Sequence, residues 1–317
     1  MTAVTAPSEV AAPADVERQL TGGRADVSGR VFTTVLQIAL AISLLTLGIL
    51  VWDVVSTGWE VLTQRLSGFL TGTMSSQPET SGLAQGIRGT FYIGLFTVVF
   101  AFPVGVGAAI YLEEYATPGR LTRFIDLNIR NLSGVPSVVY GILGFTIFVK
   151  ALGSITGPDS NGRSVISAGL TLAILVLPIV IITSAEAIRA VPTGLKEAGY
   201  GVGATRWEVV RHHVLPYAAP GILTGTVLSL ARALGEAAPL ILVGAASGFL
   251  TTGDSYELAT LQDRFTALPQ VIATWAGRPV ADWQGVTYAA IAVLLAIVLL
   301  ANAAAILLRN RYEKKRT

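Results

Sequence analysis

Two charges four residues apart, Arg232 and Glu236, interrupt an apolar stretch that reads Ala231-Arg232-Ala233-Leu234-Gly235-Glu236-Ala237-Ala238-Pro239. Placing an arginine near the middle of a membrane helix costs ~2.5–3.5 kcal/mol, so such charges must face protein or water. On a continuous helix the two side chains share a face and can pair. Two readings stand side by side. In one, the ion pair pins this helix to a neighbour. In the other, Arg232 lines a pathway and contacts a passing anion while Glu236 competes for it. A guanidinium suits a tetrahedral oxyanion because its planar fork donates two parallel hydrogen bonds, whereas a lysine offers only a point charge.

Other chemistries lack their residues. The chain has no Gly-x4-Gly-Lys-Ser/Thr phosphate loop, no His-Glu-x-x-His and no nucleophile, base and acid beside a plausible aqueous pocket, so no ATP hydrolysis and no cofactor of its own are expected. Adjacent His212 and His213 point about 100° apart on a helix and cannot face one metal, which makes a solvated pair the expectation. There is no cysteine, hence no disulfide and no thiol chemistry.

A second constellation runs from Glu197 to Pro216. Glu197-Ala198-Gly199 is followed by Gly203 and, further on, by Leu215-Pro216. Pro192 marks a helix start, Gly201 and Gly203 form a breaker pair, and Thr205-x-x-Glu208 is a capping box that opens a second short helix. The result is a compact polar knob. Trp207, Val210 and Val214 recur at helical spacing, which predicts an apolar stripe on one face where a partner docks.

These elements must be held by membrane helices. The chain is 52% hydrophobic and 13% charged, with mean hydropathy +0.63, against roughly 25% charge in a soluble domain. Runs long enough to cross ~30 Å of hydrocarbon lie near 31–55, 89–111, 135–152, 166–188, 222–244 and 286–308. An all-α integral membrane protein with six transmembrane helices is the expectation. The third run is short and holds Gly141 and Gly144, while Pro103 and Pro178 predict kinks in the second and fourth. Gly221-x3-Gly225 at the start of the fifth predicts close helix packing.

Lys and Arg give the orientation. Fifteen fall on the side of the termini and the knob, six on the other, and Arg232 lies inside a span. The termini and the knob, residues 189–221, are therefore expected to be cytoplasmic in a multi-pass cell-membrane protein. Residues 1–30 read as a flexible tail ahead of an uncleaved first span, and 309–317 as a basic tail at the headgroups. With a net charge of +2 and its cations flanking spans, the chain calls for no nucleic acid. On the outer side, Leu258, Leu261, Phe265, Leu268, Ile272 and Trp275 predict a surface amphipathic helix interrupted by Pro269, packed on lipid or on protein of the same complex. Trp52, Trp59, Trp275 and Trp283 read as interfacial anchors.

The Glu197 to Pro216 pattern resembles the signature loop of ABC-transporter permeases, in which Glu-Ala-Ala is followed by Gly and then by Ile-x-Leu-Pro. Gly199 replaces the second Ala, and His213 stands where Ile is usual. Further segments are similar to one family, the A-type phosphate permeases of ABC transporters. They are Gly86-Ile87-Arg88-Gly89-Thr90, Ala109 to Tyr115, Gly134-Val135-Pro136-Ser137-Val138-Val139-Tyr140-Gly141, Arg232 to Pro239, and Leu307 to Tyr312. Where the family commonly has Gly-Glu-Thr-Ala-Pro, this chain has Gly235-Glu236-Ala237-Ala238-Pro239. The resemblance implies a non-catalytic permease subunit of the importer type. It implies a sister C-type permease, two copies of a cytosolic ATPase that binds ATP and Mg, and an extracytoplasmic phosphate-binding protein. It assigns Arg232 and Glu236 to the substrate pathway, and Glu197, Ala198, Gly199, Gly203, Leu215 and Pro216 to ATPase coupling. The residues themselves leave open another oxyanion or a phosphate ester as cargo, an ion-coupled secondary transporter working alone, or a membrane scaffold.

Overall fold

The computed structural model describes residues 27–246, 248, 258–279 and 281–314, and every regular element among them is helical. Most of the expected N-terminal tail, the end of the basic C-terminal tail and part of the outer segment lie outside the described residues. In chain order the helices are α1 Val27–Gln64, α2 Leu66–Thr71, α3 Ala84–Tyr115, α4 Arg120–Ser133, α5 Ser137–Ala151, α6 Val165–Arg189, α7 Thr193–Gly201, α8 Arg206–Gly235, α9 Ala238–Val243, α10 Leu268–Ala276 and α11 Asp282–Lys314. Five are long and apolar enough to cross a membrane, or six if the bent pair α4 and α5 counts as one.

The chain divides into two units, residues 1–53 and 54–317. In the first, the described residues form helix with exposed apolar side chains such as Leu40, Leu44 and Ile49, as a lipid-facing segment requires.

The second unit is built on α3, α6 and α8. Small residues let these helices approach closely. A Cβ on Gly221 would fall 2.7 Å from that of Ala187, and one on Gly225 would collide with Thr183, so the Gly221-x3-Gly225 pair packs α8 on α6 as its spacing predicts. Pro103 and Pro178 lie inside α3 and α6, which continue through them. The α6 end at Arg189 meets the knob, and its other end at Val165 meets the loop after α5.

The third expected span, 135–152, is filled by α5, which α4 joins through a 102° bend at Gly134-Val135-Pro136, where proline cannot continue a helix and disfavours helical backbone before it. The fifth was expected unbroken over 222–244. Instead α8 ends at Gly235, Glu236 turns to extended backbone with φ −81° and ψ 116°, and α9 begins at Ala238 with Pro239 in its first turn. The second knob helix is not separate either. It runs through a π-helical turn, Val210–Val214, into the fifth span as the single helix α8.

The outer segment also departs from expectation. Helix α10 covers only Leu268–Ala276, with Pro269 starting it and not interrupting it. Phe265, Leu268 and Trp275 are buried in this chain's own core while Ala273, Thr274 and Ala276 are exposed, so the apolar face of α10 packs on the protein itself. Trp275 and Trp283 pack their rings 5.3 Å apart in that core. Only Trp52 and Trp59 of the four expected anchors are exposed.

Candidate functional site

The knob is made by sequence-local rules and then fixed by distant charges. Helix α7 ends where Gly203 adopts φ +84°, a conformation that costs an L side chain about 1–2 kcal/mol. The turn closes with Gly203 N–H donating to Tyr200 O at 2.9 Å and Ala204 N–H to Gly199 O at 3.2 Å. Thr205 then caps α8. Its hydroxyl accepts from the Glu208 N–H, and the Glu208 carboxylate accepts from the Thr205 N–H at 2.8 Å. Accepting from the Thr205 N–H, and also from its hydroxyl at 2.8 Å, holds the Glu208 carboxyl below the ordinary carboxylate range.

The predicted stripe does not present as expected. Val210 and Val214 are fully buried, together with Val209, Ile188 and Ala109. The exposed apolar groups of the knob are Val202 at 84%, Trp207 at 53% and Tyr200. Valines at 210 and 214 turn inward because α8 is continuous with a span, so its apolar face is already committed to α3 and α6.

Of the six coupling candidates, Glu197 and Ala198 lie exposed on α7, and Gly199 faces inward. A Cβ on Gly199 would stand 2.9 Å from Val209 Cγ2 and 3.3 Å from His213 Cδ2. The two departures from the signature loop thus touch each other, glycine leaving room beside the larger imidazole. His213 is accordingly half-buried, and His212 Nδ1 lies 3.1 Å from Glu208 O. Leu215 packs against the knob core, while exposed Pro216 follows the π turn. Glu197 makes no hydrogen bond or ion pair with the described residues, so it does not stabilise the turn and its carboxylate faces outward.

Sequence reasoning missed what anchors the knob. The π-helical end of α3, Tyr111–Tyr115, supplies three contacts. Glu113 takes a bidentate pair from Arg189, with Nε at 3.2 Å and Nη2 at 2.5 Å. Glu114, only 5% exposed, accepts from Lys196 Nζ at 2.5 Å. The Arg206 guanidinium stands 5.1 Å from the centre of the Tyr115 ring. The available signal was Glu113-Glu114-Tyr115 at the end of a span, opposite a loop rich in Arg and Lys.

At the other candidate site α5 meets the broken fifth span. Gly141 of α5 lies against Pro239 and Leu242 of α9, where a Cβ would fall 2.7 Å from Pro239 Cα. Arg232 occupies the last turn of its helix segment, a favourable place for a cation. The Tyr140 hydroxyl, next to Gly141, donates to Leu132 O across the bend at 2.8 Å. Arg232 Nε and Glu236 Oε1 are 3.5 Å apart, with the side chains 46% and 19% exposed. Glu236 lies just beyond the helix, so the shared face inferred for a continuous helix is replaced by a loose contact across its C-terminus. That contact joins residues of one segment and ties α8 to no neighbouring helix. A Cβ on Gly94 would lie 2.9 Å from Leu234 Cδ2, which sets the break about 15 Å from the start of α3 at 1.5 Å per residue.

Residues 101–314 match the family of binding-protein-dependent transport system inner membrane components. The phosphate transport system permease protein PstA 1 of Mycobacterium tuberculosis is 32% identical over 297 residues, covering 92% of each chain. The phosphate transport system permease protein PstA of Yersinia pestis is 33% identical over 293 residues, covering 88% of this chain and 90% of its own. Among solved structures, an inward-facing form of the MetNI methionine ABC transporter aligns with a TM-score of 0.57 at 20% identity, over 75% of this chain and 99% of that one. That likeness shows the fold of an ABC importer permease.

Proposed function

Because the chain belongs to the binding-protein-dependent transport system inner membrane components and matches phosphate permeases along nine-tenths of its length, we propose that it is one half of the membrane channel of an ATP-driven phosphate importer. The other half is a sister C-type permease. Two copies of a cytosolic ATPase bind ATP and Mg below it, and an extracytoplasmic binding protein delivers inorganic phosphate from outside. The knob and both termini face the cytoplasm.

One observation carries the reading of the pathway. Arg232 is half exposed at the break of a span and held by Glu236 through a single 3.5 Å contact. A pair so exposed is worth about 0–1 kcal/mol, too little to serve as a structural pin, and it leaves guanidinium donors available to an oxyanion. Glu236 competes with the anion for Arg232 and keeps its residence short, as a translocation site needs. At the knob, Glu197, Tyr200, Val202 and Trp207 form the surface that meets the ATPase. Closure of the ATPase dimer is carried through α7 and the start of α8 to α3 and α6 by the pairs at Glu113 and Glu114.

The test is uptake by the reconstituted complex of both permeases, the ATPase and the binding protein, with phosphate, sulfate and arsenate compared. ATP-dependent phosphate uptake that stops when the ATPase is omitted is the expected result. Preference for sulfate, or uptake without the ATPase, overturns the reading.

A further inference from the structure

No residue of α4 is fully buried, although the helix packs along α6. Half-buried Thr122, Ile125, Asp126, Ile129 and Ser133 share one side at helical spacing and face the rest of the chain. The opposite side is apolar. Leu121 is 72% exposed and Phe124 64%, and exposed Leu132 continues the same stripe through Asn128. Beside it runs a second stripe, Arg120, Arg123, Leu127 and Arg130, again three and four residues apart. Arg130 pairs with Asp126 on its own helix at 3.0 Å. The side chains of Arg120 and Arg123 are exposed and make no hydrogen bond or ion pair with the described residues.

Water does not suit the first stripe, and a wholly apolar partner does not suit the second. The headgroup layer of a membrane supplies both surfaces side by side, acyl chains for the leucines and Phe124 and phosphates for the guanidinium groups. Two features of the fold place α4 in that layer. It meets α5 at 102°, and a helix nearly perpendicular to one that crosses the bilayer lies close to the plane of its surface. The crossing helix is also short. Ser137–Ala151 rises about 22 Å at ~1.5 Å per residue, about 8 Å less than ~30 Å of hydrocarbon. A surface helix with its apolar face set ~5–10 Å into the headgroup and acyl boundary makes up that difference. The angle is held by the Tyr140 hydroxyl on Leu132 O and by Gly134 N–H, which donates to Asn131 O at 3.1 Å. The helix starts shortly after Tyr115, the end of α3 that anchors the knob.

We propose that α4 is a membrane-surface anchor that binds anionic lipid of the cytoplasmic leaflet, with Arg120 and Arg123 on headgroup phosphates and Leu121, Phe124 and Leu132 among the acyl chains. The choice of leaflet rests on the orientation in the functional reading above, and the binding itself does not depend on what the channel carries. Through the bend the anchor fixes the start of α5, whose Gly141 lies against Pro239 at the break that follows Arg232.

Because this chain has no cysteine, Asn128→Cys, between Phe124 and Leu132 on the apolar stripe, takes a single fluorescent label in the reconstituted complex once thiols of the partner subunits are replaced. Phosphatidylcholine vesicles carry a rising fraction of either phosphatidylglycerol or phosphatidylcholine brominated near the headgroup end of its acyl chains. Half-maximal quenching is expected at a lower fraction of the brominated phosphatidylglycerol. Arg123→Gln should raise that fraction about fivefold, the share of one arginine near an anionic surface, and Arg123→Lys, which keeps the charge, should leave it nearly unchanged. Co-purification of the partner subunits verifies that each variant is assembled. Quenching by neither lipid, the result if the sister permease or the ATPase covers the stripe, overturns the proposal. So does quenching by both lipids at equal fractions whatever residue stands at position 123. Since no transport is measured, failure of the phosphate reading would leave this result standing, and failure here would leave that reading untouched.

Discussion

Removing Lys196 while keeping Glu114 should damage the protein more than removing both. The Glu114 carboxylate is 5% exposed and its Lys196 partner 22%, at 2.5 Å. Breaking a fully buried pair by deleting one member costs about 3–5 kcal/mol, because the other charge is left without compensation. Lys196 keeps some contact with water, so we place Lys196→Ala at ~2–3 kcal/mol. Glu114→Ala leaves a lysine whose ammonium can turn toward solvent, and should cost about half as much. The double variant loses the pair but strands no charge, so a coupling of ~1–2 kcal/mol between the two sites is expected. The assay is a double-mutant cycle on the thermal midpoint of the purified complex, paired with ATP hydrolysis stimulated by loaded binding protein. Recovery of stability in the double variant without recovery of stimulated hydrolysis is the expected pattern, since α7 would then be folded but no longer strutted to α3. Additivity of the two single changes within ~0.3–0.5 kcal/mol would refute the reasoning.

Three other expectations concern the knob and the orientation. In the cysteine-free chain, exposed Asp159→Cys should react with an impermeant thiol reagent added outside, and Val202→Cys, at the most exposed apolar position of the knob, only after the membrane is opened; the reverse pattern would invert the topology. Gly203→Pro forces φ from +84° to about −65° and should abolish transport-linked hydrolysis by unmaking the turn, whereas Glu197→Lys should leave the fold intact and weaken only ATPase binding, read by co-purification. The Glu208 carboxyl titrates below its ordinary value because it accepts from Thr205, so the cap is at full strength above the ordinary glutamate pKa and is lost as pH falls through the lowered folded value. Faster amide exchange at the start of α8 on acidification should follow, and Glu208→Gln, which keeps an acceptor but cannot titrate, should remove that pH dependence.

The helices and the knob turn were legible because their signals are local. Thr205 and Glu208 form their capping box from a spacing of three, Gly203 takes the positive φ its place in a breaker pair suggests, and Gly221 and Gly225 pack where small residues would. What failed depended on the tertiary setting. Periodicity marks Val210 and Val214 as apolar but not which surface they meet, and continuity of α8 with a span decided for the interior. The same ambiguity attends Phe265, Leu268 and Trp275, whose helical spacing marks an apolar face but not that the chain's own core covers it. The break at Glu236–Ala237 was hidden because an apolar run of the right length reads as one span whether or not its backbone is continuous. The partners of Glu113 and Glu114 lie more than seventy residues away, beyond the reach of any spacing rule.

The role of Arg232 in the pathway is tested most directly by phosphate uptake through complexes carrying Arg232→Ala alone and with Glu236→Ala. If Arg232 exists to neutralise Glu236, the double variant strands no charge and regains transport. If Arg232 holds the passing anion, both variants assemble with the ATPase and neither transports, while Arg232→Lys recovers a part because it supplies charge without the planar fork. The geometry, with the pair loose and the guanidinium half exposed, predicts a stable and inactive double variant. Full uptake by that variant would contradict it.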